Sequence, residues 1–324
     1  METRKVLVCG AGGFIGAHLV KDLKDRGFYV IGADLEHPKY AETAADEFHI
    51  ADLRDQYEVA QLVTNDLYEI YQLAADMGGA GYIFTGENDA DIMHNSATIN
   101  LNIVNEMIKK GVKRVFYSSS ACMYPQQLQT GDVIDPSLIE SQAYPADPDS
   151  DYGWEKLFSE RLYLAYARNY GLHVRIARLH NIYGPEGSWN NGKEKSPAAL
   201  CRKVAESENG EIEVWGPGTQ KRTFLYIDEC IKGIDRIMNG SYEYPLNLGS
   251  QRMISINDLA YMISSIAGKN IKIKNTDGPL GVMGRRSHNG LIKKNIGWAP
   301  DEDLEYGLKK TYDWILEQVR NAAT

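Results

Sequence analysis

Lys5-Val6-Leu7-Val8-Cys9, then Gly10-Ala11-Gly12-Gly13-Phe14-Ile15-Gly16, then His18-Leu19-Val20-Lys21-Asp22-Leu23 is the stretch that decides the fold. Its first part has the length and apolar character of a buried strand, and after the glycines the apolar residues recur at helical spacing. Glycines at 10, 13 and 16 permit a tight turn, close approach of backbone to a pyrophosphate, and close packing of helix on strand. The helix N-terminus then offers N–H donors to phosphate. A glycine pattern alone is weak; its position between a strand and a helix gives it force. A second strand, Phe28-Tyr29-Val30-Ile31-Gly32-Ala33, follows and ends at Asp34. Asp34 lies 18 residues past Gly16, near the ~20 expected of the acid that hydrogen-bonds an adenosine ribose. A carboxylate there repels a 2′-phosphate, so NAD is expected rather than NADP.

Working outward, Phe48-His49-Ile50-Ala51-Asp52-Leu53-Arg54 reads as a third strand and loop, with Asp52 placed to meet an adenine amino group. Glu69-Ile70-Tyr71-Gln72-Leu73-Ala74-Ala75 reads as a fourth strand. It runs into Asp76-Met77-Gly78-Gly79-Ala80-Gly81, a loop whose glycines let a sugar lie against bare backbone. A helix is expected from about Ile92 to Lys110, ahead of the strand Arg114-Val115-Phe116-Tyr117. Strands alternating with helices at this spacing predict an α/β fold with a doubly wound parallel sheet, the Rossmann arrangement.

Tyr152-Gly153-Trp154-Glu155-Lys156 puts a phenol and an ammonium one helical turn apart on one face. A nearby cation favours the phenolate, so Lys156 is expected to move Tyr152 from its ordinary ionisation near ~10 towards a base useful at neutral pH. The same pattern suits a core tyrosine beside a solvated lysine. Ser120 favours the chemical reading, because a hydroxyl just past an apolar strand lies where open α/β sheets bind ligands. Cys122 follows two residues later. A free cysteine is most often a small buried hydrophobe; beside these groups it is also a candidate proton carrier.

Beyond the strand Val174-Arg175-Ile176-Ala177-Arg178-Leu179 the strict alternation is lost. Residues 1–178 are expected to form the NAD-binding domain, with a return to it around 224–250, and 179–324 a smaller substrate lobe. Phe224-Leu225-Tyr226-Ile227-Asp228-Glu229 and Pro245-Leu246-Asn247-Leu248-Gly249 read as short extended pieces, and Ile256–Ala267 and Leu304–Arg320 as helices. Basic residues cluster at Lys193-Glu194-Lys195, Arg202-Lys203, Gln220-Lys221-Arg222 and Gly284-Arg285-Arg286. In a chain of net charge −9 such clusters suit a compact polyanion such as a diphosphate. That net charge argues against non-specific nucleic-acid binding. No apolar run reaches the ~18 residues of a membrane span, and no signal-peptide pattern precedes the first strand. Four scattered cysteines, Cys9, Cys122, Cys201 and Cys230, predict reduced thiols in a cytoplasmic setting and no metal site.

Gly-x-x-Gly-x-x-Gly, Ser120, Tyr152-x-x-x-Lys156 and His180-Asn181-Ile182-Tyr183-Gly184-Pro185 resemble the extended short-chain dehydrogenase/reductase family of nucleotide-sugar enzymes. Ala74-Ala75-Asp76-Met77-Gly78-Gly79, Ser119-Ser120-Ala121-Cys122-Met123-Tyr124-Pro125, Lys193-Glu194-Lys195-Ser196-Pro197-Ala198-Ala199, Cys201-Arg202-Lys203 and Gly297-Trp298-Ala299-Pro300 are similar to its branch that inverts ring carbons of a GDP-hexose. The likeness spans nearly the whole chain. It implies conversion of GDP-D-mannose to GDP-L-galactose, and to GDP-L-gulose. The implied route is transient oxidation at carbon 4 by bound NAD+, inversion at carbon 3, carbon 5 or both through enediolates, and re-reduction. By the same resemblance Tyr152 and Lys156 serve the hydride step, Ser120 holds a sugar hydroxyl, and Cys122 and Lys195 are the acid/base pair. The implied substrate contacts are Gly78, Ser120, Cys122, Asn181, Glu194, Lys195, Lys203, Gln220, Arg222 and Arg285. The implied cofactor contacts are Gly10, Gly13, Phe14, Ile15, Gly16, Asp34, Asp52, Leu53 and Ala74, with Tyr152 and Lys156. A homodimer built from helices of the dinucleotide domain is expected too. The chain departs from the family around Met283–His288 and between Gln126 and Pro136. A 4-epimerase usually carries Thr where Cys122 stands, and a 4,6-dehydratase an Asp-Glu pair after such a Thr. A non-catalytic NAD-binding regulator is expected to have lost Tyr152 or Lys156, and both are present.

Overall fold

Alternation along Lys5–Cys9 sends Val6 and Val8 into one apolar cluster and Leu7 and Cys9 into another, because successive side chains of a strand point to opposite faces. Both faces are buried, so the strand lies inside a sheet covered on both sides. In the computed structural model, which describes residues 3–130, 135–278 and 281–322, that sheet has seven strands. Their order is Leu246–Leu248, His173–Leu179, Arg114–Ser120, Leu67–Gln72, Lys5–Cys9, Tyr29–Asp34 and Glu47–Ile50. Every pairing is parallel. The chain steps outward one way from Lys5–Cys9 and the other way from Leu67–Gln72, so the order reverses between these neighbours. A ligand crevice belongs at their carboxyl ends. This is the doubly wound fold expected. Part of the divergent loop between Gln126 and Pro136 lies outside the described residues.

Helices Phe14–Asp25 and Ile227–Asn239 pack together over one face, and Asp89–Lys110 and Asp151–Tyr170 over the other. Ile227–Asn239 corrects the sequence reading at one point. The extended piece ends at Tyr226, and the next residue opens a helix. Asp228 and Glu229 in its first turn suit the positive end of the helix dipole. Ile227, Ile231, Ile234 and Ile237 form the stripe it buries.

A second, four-stranded sheet runs in the order Met253–Ser255, Lys221–Thr223, Gly284–Ser287 and Ser137–Leu138. Its two central strands are parallel, and their register pairs Arg222 with Arg285. Two guanidinium groups 63 positions apart in the chain, 285 minus 222, thereby start from neighbouring backbone.

Candidate active site

Gly13 is the N-cap of Phe14–Asp25 and has no side chain to cap the first N–H groups, so those donors face a cavity of about 690 Å³. The turn is dense. A Cβ at Gly16 would stand 1.9 Å from the Gly10 carbonyl oxygen, and one at Gly10, whose φ is +83°, 2.8 Å from the Ala74 nitrogen. Asp34 accepts from the N–H groups of Gly12 (2.9 Å) and Leu35 (2.7 Å) and borders the cavity. Burial raises its pKa above the ordinary 3.8, against those hydrogen bonds. Uncapped helix donors for a pyrophosphate and a carboxylate at the end of the second strand fit a bound dinucleotide. Gly10, Gly13, Phe14, Ile15, Gly16, Asp34, Asp52, Leu53 and Ala74 all line this space. Asp52 is held by Arg54, which reaches it through Nε and Nη2 at 2.9 and 2.6 Å.

A second cavity, of about 370 Å³, meets the first at Met77, Gly78 and Lys195. Gly78, Ser120, Cys122, Asn181, Glu194, Lys195, Lys203, Gln220, Arg222 and Arg285 all line it. Tyr152 lines this second space, and Lys156 lines neither. Ser120 ends its strand and caps the short turn Ala121–Met123 by accepting from the Cys122 N–H at 3.2 Å. Ser150 caps the helix Asp151–Tyr170, accepting from the Gly153 N–H at 3.3 Å.

Lys156 is buried beside Tyr152, one helical turn away as the spacing predicts. Its ammonium donates to the Ser118 carbonyl at 2.9 Å and lies 5.6 Å from the centre of the Tyr152 ring. Burial pushes the Tyr152 phenol well above its usual value, the neighbouring Cys122 adds to this, and the Ser120 hydrogen bond opposes it. Desolvation is the dominant cause of that rise, and Arg285 is the cation that opposes it. Burial also lowers Lys156 from its ordinary 10.5, opposed by Glu155 and Glu160.

Lys195 is the N-cap residue of Ser196–Glu206. Burial pulls its ammonium below 10.5, Cys122 and Cys230 oppose this, and Arg285 adds to it. Its loop is pressed against the glycine-rich one, because a Cβ at Gly79 would stand 2.7 Å from the Glu194 carbonyl oxygen. Lys193 lies 4.2 Å from the centre of the Tyr82 ring, a cation–π contact to the short helix Ala80–Ile83 that follows the glycine-rich loop.

The basic clusters converge in part. Lys195, Arg202, Lys203, Arg222 and Arg285 share the second cavity, whereas Arg286 turns away to pair with Asp135. Burial, and then the charge of Arg285, push Arg222 down to about 9. Gln220 is buried there, and its Oε1 has no hydrogen-bond partner among the described residues, so an acceptor is left for a ligand donor. Asn181 holds φ at +43° and donates to the Thr223 carbonyl at 3.0 Å. Three residues that were not among the sequence-predicted site residues adjoin the site: Gln129 and Asp149 accept from the Arg285 guanidinium, and Gly153 leaves room for the Cys122 carbonyl. The small residue between Tyr152 and Trp154 was the one available signal.

A sheet reversing at the glycine turn, a donor-lined dinucleotide cleft and an adjoining cavity holding Ser, Tyr, Cys and Lys define the class. The chain belongs to the NAD dependent epimerase/dehydratase family, whose model matches residues 6–249. Among curated proteins it is 44% identical over 322 residues to a GDP-mannose 3,5-epimerase of Arabidopsis thaliana, covering 98% of this chain and 84% of that protein. It is 43% identical over 327 residues to GDP-mannose 3,5-epimerase 1 of Oryza sativa subsp. indica, covering 100% and 84%. Among solved structures, UDP-glucose 4-epimerase of Thermotoga maritima with UDP-glucose shares the fold, with a TM-score of 0.85, 23% identity and coverage of 97% and 99%.

Proposed function

We propose that this protein is an NAD-dependent nucleotide-sugar epimerase that converts GDP-D-mannose to GDP-L-galactose, with GDP-L-gulose as a second product. The observation that carries the reading is the second cavity: a thiol, a lysine ammonium, a phenol and a serine hydroxyl border one space beside the dinucleotide cleft. The 44% identity to a GDP-mannose 3,5-epimerase across nearly the whole chain supports the choice of sugar nucleotide.

When bound, NAD+ supplies reversible hydride acceptance at sugar carbon 4 and a positive charge in the cleft. With the charge of bound NAD+ favouring its phenolate, Tyr152 would take the proton of the carbon-4 hydroxyl, and Ser120, which borders the same space, would hold that oxygen. Lys156, fixed on the Ser118 carbonyl, braces the helix that carries Tyr152. A ketone at carbon 4 acidifies the hydrogens on carbons 3 and 5. Cys122 removes such a proton and Lys195 delivers one to the opposite face of the ring, the roles exchanging between centres. The lowered pKa of Lys195 makes it a better acid at neutral pH. Arg222, Lys203 and Arg285 meet the diphosphate and sugar; an anion between the guanidinium groups lifts the repulsion now weighing on Arg222. Gly10, Gly13 and Asp34 hold the pyrophosphate and ribose of the cofactor.

Residues 1–178, rejoined by 224–250, hold the cofactor in this reading, and 179–324 the nucleotide sugar. The strand Leu246–Leu248 in the main sheet supports that division. The working unit is a homodimer. Trp154 and Phe158, exposed by 42% and 47% one turn apart on Asp151–Tyr170, and Met93 and Leu101 on the adjacent helix are exposed apolar side chains on the two packed helices. A cytoplasmic setting suits four free cysteines, and no helix among the described residues is long and apolar enough to cross a membrane.

The test is incubation with GDP-mannose in deuterated water without added cofactor, followed by mass and proton spectra of the recovered sugar nucleotide. Deuterium at carbons 3 and 5 with new epimers is expected. Unlabelled, unchanged GDP-mannose from protein that carries NAD+ would refute the reading.

A further inference from the structure

Arg285 is 5% exposed and spends its fork on three different partners. Nε donates to Gln129 Oε1 at 2.5 Å, Nη1 to Cys122 Sγ at 3.1 Å, and Nη2 to the Asp149 carboxylate. Buried arginine–carboxylate pairs are frequently bidentate. Arg178 grips Glu160 that way in this same chain, through Nε at 2.9 Å and Nη2 at 2.8 Å, while its Nη1 serves the Tyr124 hydroxyl and the Glu140 carbonyl. Arg285 gives its carboxylate one arm and aims another at sulfur. The grip is itself anchored: Gln129, 1% exposed, donates to the carbonyls of Tyr124 and Pro125. Asp149 Oδ1 accepts from Ser150 Oγ at 3.0 Å, and Ser150 caps the helix that carries Tyr152.

We propose that Asp149 is a positioning residue for proton transfer: with Gln129 it fixes the Arg285 guanidinium so that one N–H stays directed at Cys122 Sγ. A guanidinium held there stabilises negative charge on the sulfur, which Cys122 needs as a base. Asp149 also ties this arm to the N-cap of the Tyr152 helix, so the proton-transfer group and the hydride-step group keep one register. The catalytic part rests on the epimerase reading; the grip on Cys122 does not.

The experiment uses the full chain with Asp149→Ala and Asp149→Asn. Iodoacetamide reports on the thiol directly, since Cys9, Cys201 and Cys230 are fully enclosed and Cys122 lines a cavity; peptide mass locates the label. In Asp149→Ala the guanidinium is released, and alkylation of Cys122 is expected to slow about tenfold. Deuterium uptake from GDP-mannose falls about 30-fold, while NADH formation in a single turnover falls less than about threefold. Asp149→Asn keeps a carbonyl oxygen for Nη2 and removes a negative charge near sulfur, so its alkylation rate is expected to match or exceed the wild type. Should Asp149→Ala fail to fold, Asp149→Asn decides, and slowed alkylation there overturns the proposal. Wild-type alkylation in Asp149→Ala also overturns it. So does a parallel fall in deuterium uptake, NADH formation and melting temperature, which a purely structural ion pair would give. A wild-type protein that takes up no deuterium, with alkylation still slowed by Asp149→Ala, sinks the substrate reading and keeps the positioning role.

Discussion

The carbonyl oxygen of Cys122 occupies the space a side chain at Gly153 would need: a Cβ there would lie 2.2 Å from it. Tyr152 is therefore held against the thiol turn by the missing side chain of its neighbour. Alanine in place of glycine inside a helix ordinarily stabilises, by up to about 1 kcal/mol. Here the contact is with backbone, so overpacking of about 1–3 kcal/mol wins. Gly153→Ala is expected to lower stability by roughly that amount and kcat about 100-fold, measured by denaturant unfolding and steady-state turnover.

Separating the two half-reactions tests the assigned roles. Tyr152→Phe should abolish NADH formation and deuterium uptake together, because no ketone forms. Cys122→Ala and Lys195→Met should still form NADH from GDP-mannose, yet lose deuterium uptake at one ring carbon or both by at least about 100-fold. Rapid-quench analysis with solvent deuterium distinguishes the two patterns, and undiminished uptake in Cys122→Ala would remove the thiol from the mechanism.

As the proposed acid, Lys195 is expected to set the alkaline side of the pH profile. An acid must be protonated to act, and burial lowers this ammonium below its ordinary 10.5. Its protonated fraction therefore declines at a lower pH than that of an exposed lysine. The alkaline limb of kcat for epimerisation is expected below 10.5 and is expected to move upward in Lys195→Arg, whose residual activity keeps its proton to higher pH.

Asp34 couples the cofactor to pH with the opposite sense. Its pKa is raised on folding, so between 3.8 and the raised value the unfolded chain is the more ionised. Stability of the cofactor-free protein from this group thus falls as pH rises through that window. Affinity for NAD rises across the same window, because the ribose hydroxyls need an ionised acceptor. Asp34→Asn should flatten both trends, as seen by calorimetric titration and melting at graded pH.

Phe158→Asp places a charge one turn from the exposed Trp154, on the helix pair that also exposes Met93 and Leu101. Light scattering is expected to report a monomer for this variant and a dimer for the parent chain, with NAD retained in both. A parent chain that is already monomeric would retire the homodimer.

Local patterns in this chain were readable because their physics is local. The glycine turn, the acid after the second strand and Tyr152 with Lys156 each lie within one supersecondary unit, where spacing fixes geometry. The destination of the Lys156 ammonium was not readable, because its acceptor, the Ser118 carbonyl, lies 38 positions away. The sign of the Tyr152 shift was missed for a related reason: burial is a property of the assembled fold. The grip on Arg285 spans 136 positions to Asp149 and 156 to Gln129. The helix at Ile227 was hidden by the β-branched and aromatic residues that open it, which locally favour extension until tertiary packing decides.

Lys195 stands on the loop pressed against Gly79, whereas Ser120, Cys122 and Tyr152 rise from the main sheet and its covering helix. In the proposed mechanism, oxidation at carbon 4 therefore falls to groups carried by the main sheet and its covering helix, and inversion to the seam between Cys122 there and Lys195 on the facing loop. On that reading, substitutions along the seam are expected to change the stereochemical outcome while leaving oxidation at carbon 4 intact.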